Sequence, residues 1–101
     1  MRIVDLLHRE SIDLQAVAAD KNAAIDRLVD LMAASGNLTD KEAYKKCVLA
    51  REEEGSTGIG EGIAIPHAKT NAVKRPGLAS MIVRNGVDYE SLDDEPAYLF
   101  F

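Results

Sequence analysis

The sequence is poor in the features that staple, anchor or divide a chain. Its one cysteine, Cys47, cannot close an intrachain disulfide, and one cysteine with two histidines is too small a ligand set for a structural zinc site. No apolar run approaches the roughly 20 residues that a membrane-spanning helix requires. The opening Met1-Arg2-Ile3-Val4-Asp5 is interrupted by charge too early to serve as a secretory leader. Positive charge is also scarce: 12 Lys+Arg stand against 17 Asp+Glu, a net −5 that disfavours a broadly basic nucleic-acid surface. There is no internal repeat, low-complexity tract or Gly/Ser linker, so residues 1–101 read as one domain. What remains is 47% hydrophobic and 29% charged, which suits an ordinary globular chain. A chain of this length buries roughly 65% of its unfolded surface, enough for a single core. The expectation is a cytoplasmic protein with a reduced thiol.

Two helices are legible. Asp20 is placed to cap the first, in which Ile25, Leu28, Val29 and Met32 fall on one face and Gly36 supplies the stop. Thr39 and Glu42 have capping-box spacing for the second, where Ala43, Tyr44, Cys47 and Val48 share a face and Gly55 ends the pattern. The short Gly36-Asn37-Leu38 connection makes the two helices neighbours. A helical turn and a short strand at Ile12–Leu14 precede them. After Gly55 the period changes to strands: Ile63-Ala64-Ile65, Leu78 to Val83 followed by the hairpin-type dipeptide Asn85-Gly86, and Tyr98 to Phe101. Helices first and strands later predict an α/β or layered α+β fold, a mixed β-sheet with flanking helices.

Chemistry concentrates between Gly55 and Thr70. Gly55 and Gly60 have phosphate-loop spacing, but Glu61-Gly62 follows where Lys and Ser/Thr are needed. A dinucleotide fingerprint fails at Ile63, and Glu61 would repel a nucleotide phosphate. The segment is instead a loop dense in backbone N–H groups and hydroxyls, able to form an anion-binding concavity, followed closely by a histidine. Pro66 fixes its own φ and biases Ile65 towards extended geometry, so His67 is presented from a stiff strand end. Two readings of His67 stand at this level: a neutral imidazole nucleophile, or a strand-end side chain making one hydrogen bond. His8 and Lys69 read as surface residues and Cys47 as a small core hydrophobe.

The run Gly58-Ile59-Gly60-Glu61-Gly62-Ile63-Ala64-Ile65-Pro66-His67-Ala68-Lys69, with Arg51-Glu52-Glu53-Glu54-Gly55-Ser56-Thr57 before it, closely resembles the active-site signature of the fructose/mannitol-type IIA domains of the bacterial phosphoenolpyruvate:sugar phosphotransferase system. The resemblance extends from about Asp5 to Phe101. Ser91 to Phe101 resembles the fructose branch more than the mannitol or nitrogen-regulatory ones. It implies a phosphotransferase in which His67 accepts a phosphoryl group through Nε2 from the carrier HPr and passes it to a IIB component. Arg51 matches the family's active-site arginine, whose guanidinium suits phosphoryl oxygens. Ser56, Thr57 and Gly58 are candidates to hydrogen-bond the phosphoryl group or orient the ring. No metal and no cofactor are implied. A nitrogen-regulatory type of module, controlling a protein partner through His67 phosphorylation, is the alternative.

The family's domain continues past the position of Phe101, with further strands, helices and a second histidine. Residues 1–101 are therefore expected to be its N-terminal part. The apolar Tyr98 to Phe101 is expected to form an exposed sheet edge, so that the chain either self-associates through it or is a poorly stable monomer.

Overall fold

Two aspartates start the two long helices. A computed structural model describes residues 2–75 and 77–101, with Ile3 and Val4 described by backbone alone; Met1, in the opening stretch read above, lies outside the described residues. After a short helix α1 (Ile3–Leu6) and strand β1 (Leu7–Asp13), helix α2 spans Lys21–Ala34, and the Asp20 carboxylate accepts the Ala23 N–H at 2.8 Å. Helix α3 spans Lys41–Glu53, and its cap is Asp40, which accepts the Ala43 N–H at 3.0 Å. The expected Thr39 cap is thus displaced by one residue, and the Thr39 N–H that Glu42 would meet in a capping box donates instead to the Ala72 carbonyl at 2.7 Å. Each cap satisfies a backbone donor that a helix leaves orphaned. Among the described residues, no helix is long and apolar enough to cross a membrane.

The remaining strands are β2 (Gly58–Gly60), β3 (Ile63–Ala64), β4 (Leu78–Val87) and β5 (Ala97–Phe100). They join β1 in one mixed sheet of order β1-β4-β5-β3-β2. β1 runs parallel to β4 and β3 parallel to β5, while β4–β5 and β2–β3 are antiparallel. This is the expected mixed sheet with flanking helices. α2 packs on β1 and β4, and α3 packs on α2. Ile25, Leu28, Val29 and Leu31 of α2 share one core with Tyr44 and Val48 of α3 and with Ala79, Met81 and Val83 of β4. Tyr89 and Phe100 are fully buried in it, their rings edge to face with centroids 5.4 Å apart. Such a pair adds about 0.5–1.5 kcal/mol beyond the burial of its area.

Three expectations are corrected. The first strand runs from Leu7 to Asp13, and Leu14 lies in the following turn, exposed. Asn85-Gly86 is not a hairpin turn but lies inside β4. The pairing of β4 with β5 steps from Ile82↔Leu99 to Val87↔Ala97, so β4 carries extra residues at this point and Gly86 takes its φ of +79° in a bulge. The chain reverses later, in the 88–96 connection, where Glu90 and Asp94 adopt positive φ. Finally, Tyr98 to Phe101 is not a sheet edge. β5 is paired on both sides, by β4 and β3, and Ala97 and Phe100 are wholly buried. The expected route to self-association through that strand is therefore absent.

The bulge gives a direct test. A Cβ on Gly86 would lie 2.8 Å from Cε1 of Tyr98, on a backbone that L side chains rarely adopt. Gly86→Ala is expected to destabilise the fold by about 1–3 kcal/mol in urea titrations. An unchanged midpoint would mean that the bulge relaxes without strain.

Candidate functional site

His67 stands at the end of a segment held from several sides. β3 lies between β2 and β5, and beyond it the Ile65 N–H donates to the Thr57 carbonyl at 3.0 Å. Pro66 is buried, whereas the His67 side chain is exposed. His67 Nδ1 lies 2.8 Å from the Ile65 carbonyl oxygen. A carbonyl can only accept, so Nδ1 carries the hydrogen in this bond and the neutral ring keeps its lone pair on Nε2.

Arg51 occupies the last turn of α3, half-buried, with Nη1 donating to the Gly55 carbonyl at 3.0 Å. It lines the same open depression as His67, Cys47 and Lys69. The structure thus brings Arg51 and His67 to one site. Cys47 is half-buried at its wall and not in the closed core. His8 is exposed on β1, and Lys69 is exposed.

The candidate donors upstream are otherwise engaged. The Ser56 hydroxyl donates to the Tyr89 carbonyl at 3.3 Å and itself accepts the Gly58 N–H at 3.0 Å. The buried Thr57 gives its N–H to Glu52 Oε1 at 3.1 Å and its hydroxyl to Glu52 Oε2. The expected loop is in fact a tight β2–β3 hairpin, whose turn is pinned where the Glu61 N–H donates to Asp93 at 2.9 Å. Gly58 is needed for close approach: a Cβ there would lie 2.9 Å from Cα of Ser91.

The group that sequence reasoning missed is Glu52. Only 9% exposed, it pairs with Lys21 Nζ at 3.1 Å in addition to both Thr57 groups. Lys21 sits 4.7 Å above the Tyr89 ring, and the Tyr89 and Thr57 hydroxyls are 3.1 Å apart. Burial by itself would raise the Glu52 pKa, but the Thr57 hydrogen bonds and the Lys21 ammonium outweigh it and hold the carboxyl below its ordinary value. Burial pushes the Tyr89 phenol up, so it stays neutral. The sequence signal available was only Arg51-Glu52 at a helix end beside a glycine-rich segment; Thr57 is five residues on, but Lys21 and Tyr89 are distant in the chain.

Residues 5–101 match the family model described as phosphoenolpyruvate-dependent sugar phosphotransferase system, EIIA 2. The chain belongs to this family. All of it is 48% identical to 16% of the fructose-specific EIIABC component of Bacillus subtilis (strain 168). Some 91% of it is 44% identical to 60% of the fructose-specific EIIA component of Haloferax volcanii. The chain thus spans less than two thirds of either curated relative. Among solved structures, it resembles the nitrogen regulatory protein IIA-Ntr of Neisseria meningitidis (TM-score 0.87, 29% identity, 96% of this chain and 66% of that one). It also resembles the Escherichia coli mannitol IIA enzyme solved in complex with phosphorylated mannitol IIB (TM-score 0.81, 27% identity, 94% and 68%).

Because Glu52 is held below its ordinary pKa of 4.5, its stabilising contribution is complete above that pH and is lost as the pH falls through the lower folded value. Removing one partner of a buried ion pair costs about 3–5 kcal/mol, so Glu52→Ala should destabilise by that order. Urea midpoints measured from pH 7 down to pH 3 should fall less steeply for Glu52→Gln than for the unaltered chain. Parallel curves would contradict the assignment.

Proposed function

We propose that the chain is a cytoplasmic phosphoryl carrier of the sugar phosphotransferase system, residues 1–101 forming part of one IIA-type domain. It accepts a phosphoryl group on His67 from phosphorylated HPr and passes it to a IIB component during uptake of fructose or a related sugar. Family membership supports the carrier role, the two fructose-specific relatives support the branch, and the solved complex of a IIA with a phosphorylated IIB supports the acceptor. The nitrogen-regulatory alternative rests on a likeness at lower identity and is not favoured.

The observation that carries the reading is the Nδ1 bond to the Ile65 carbonyl. In the neutral ring it leaves the lone pair on Nε2, and the side chain is exposed. In the proposed step the Nε2 lone pair forms a bond to phosphorus as the N–P bond of the donor phosphohistidine breaks, and the donor imidazole keeps that electron pair. Transfer to IIB repeats the exchange, with a cysteine thiolate sulfur attacking and Nε2 leaving. Neither step consumes water or oxidant. The transition state is loose, so in-line placement and fixed positive charge supply most of the catalysis. Arg51, in the same depression, provides that charge through paired N–H donors.

Incubation with phosphoenolpyruvate, enzyme I and HPr, followed by intact-mass measurement, is expected to show one added phosphoryl group. His67→Ala should abolish it and His8→Ala should retain it; the reverse pattern would sink the proposal. Losing a charge-assisted contact to a transferring phosphoryl group costs roughly two to three orders of magnitude in rate. Arg51→Ala should slow transfer by that much with little change in melting temperature. Unaltered transfer would remove Arg51 from the site.

A further inference from the structure

A continuous hydrogen-bonded path joins a buried ion pair to the exposed ring. Lys21 Nζ lies 3.1 Å from Glu52 Oε1, the same oxygen that accepts the Thr57 N–H at 3.1 Å, while Oε2 takes the Thr57 hydroxyl. The Thr57 carbonyl accepts the Ile65 N–H at 3.0 Å, and the Ile65 carbonyl accepts His67 Nδ1 at 2.8 Å. We propose that Glu52 is a positioning residue for phosphoryl transfer, acting through Thr57 to fix the backbone that orients His67. The proposal deepens the reading given above and rests on it.

The geometry gives Glu52 control of both functional side chains. Its carboxylate closes a ring across residues 52–57, so the peptide groups between them cannot shift independently. One of these, the Gly55 carbonyl, is the acceptor that holds Arg51 Nη1 at 3.0 Å. The far end of the ring, Thr57, sets the height of Ile65 through a main-chain bond. Ile65 in turn decides which imidazole nitrogen is protonated. A rotated Ile65 carbonyl would release Nδ1 and let the hydrogen exchange to Nε2, removing the lone pair from the outward nitrogen. The ring is itself backed by rigid groups. Lys21 also contacts the Tyr89 ring, and the Tyr89 hydroxyl, 3.1 Å from Thr57 Oγ1, comes from a side chain packed edge to face on Phe100 of the central strand. A carboxylate whose only task was helix stability would have no need to reach Thr57 through both its oxygens. Such a bidentate contact fixes direction as well as distance.

The test compares the unaltered chain with Glu52→Gln, which keeps side-chain volume, and with Thr57→Val, which removes only the hydroxyl. Thermal melting first establishes that each is folded; should Glu52→Gln fail, Thr57→Val carries the experiment. Nitrogen-15 spectra of the imidazole then report the His67 tautomer, and transfer from phosphorylated HPr is timed. The Nδ1–H tautomer should dominate in the unaltered chain and become mixed in both variants. Transfer should fall roughly 10- to 100-fold, the scale of a small misplacement at a reacting centre. Thr57→Ser should restore both readouts. A folded Glu52→Gln chain with an unmoved tautomer would overturn the proposal, whether or not its transfer slowed. If the unaltered chain accepts no phosphoryl group, the functional reading fails, and the tautomer comparison still decides whether Glu52 positions the ring.

Discussion

An ionised carboxylate is costly to bury unless its oxygens are met by donors and its charge by a cation. Glu52 meets that condition at a single place in the fold. There Lys21 from the start of α2, Thr57 from the approach to β2 and Tyr89 from beyond β4 converge. The convergence requires α2 to lie against the sheet, α3 to end beside β2, and the 88–96 connection to fold back over both. Remove the carboxylate and those three segments lose their common partner, while the ammonium of Lys21 is left with the exposed Glu90 at 3.5 Å and the face of the Tyr89 ring.

From that point the sheet carries order outward. β3 is only two residues long, but β5 pairs it on one side and β2 on the other. A strand so short is stable because its neighbours are: β5 occupies the middle of the sheet and buries Phe100. The segment leaving β3 therefore starts from a fixed direction, and the buried Pro66 preserves it up to His67. Phosphoryl exchange between nitrogen and sulfur asks a protein chiefly for placement and for charge that is already in position. In the proposed reaction the strand end that carries His67 supplies the placement, and Arg51, which lines the same depression, supplies the charge.

Much of this was legible in the sequence, for identifiable reasons. The helices announced themselves because Asp20 and the 3.6-residue spacing of Ile25, Leu28 and Val29 are local signals. His67 and Arg51 were legible because their motif is compact. Asn85-Gly86 misled because a positive φ serves a bulge as well as a turn, and only the register of β5 distinguishes the two. The central place of β5 was illegible since its apolar run fits an edge or a centre equally; the neighbour that decides the matter, β3, lies more than 30 residues away. The donors of Ser56 and Thr57 seemed free in sequence because their partners, Tyr89 and Glu52, are chosen by tertiary packing, and the Gly58 N–H is taken by the Ser56 hydroxyl. Glu52 itself looked like one more charge at the end of a helix in an acidic run.

The most direct test of His67 as a carrier through its outward nitrogen is phosphorus–nitrogen coupling in the phosphorylated, nitrogen-15-labelled chain. Coupling of the phosphorus to Nε2 of His67, with Nδ1 still protonated and bonded to the Ile65 carbonyl, is the expected result. Coupling to Nδ1, or to any residue other than His67, would contradict the geometry from which the function is argued.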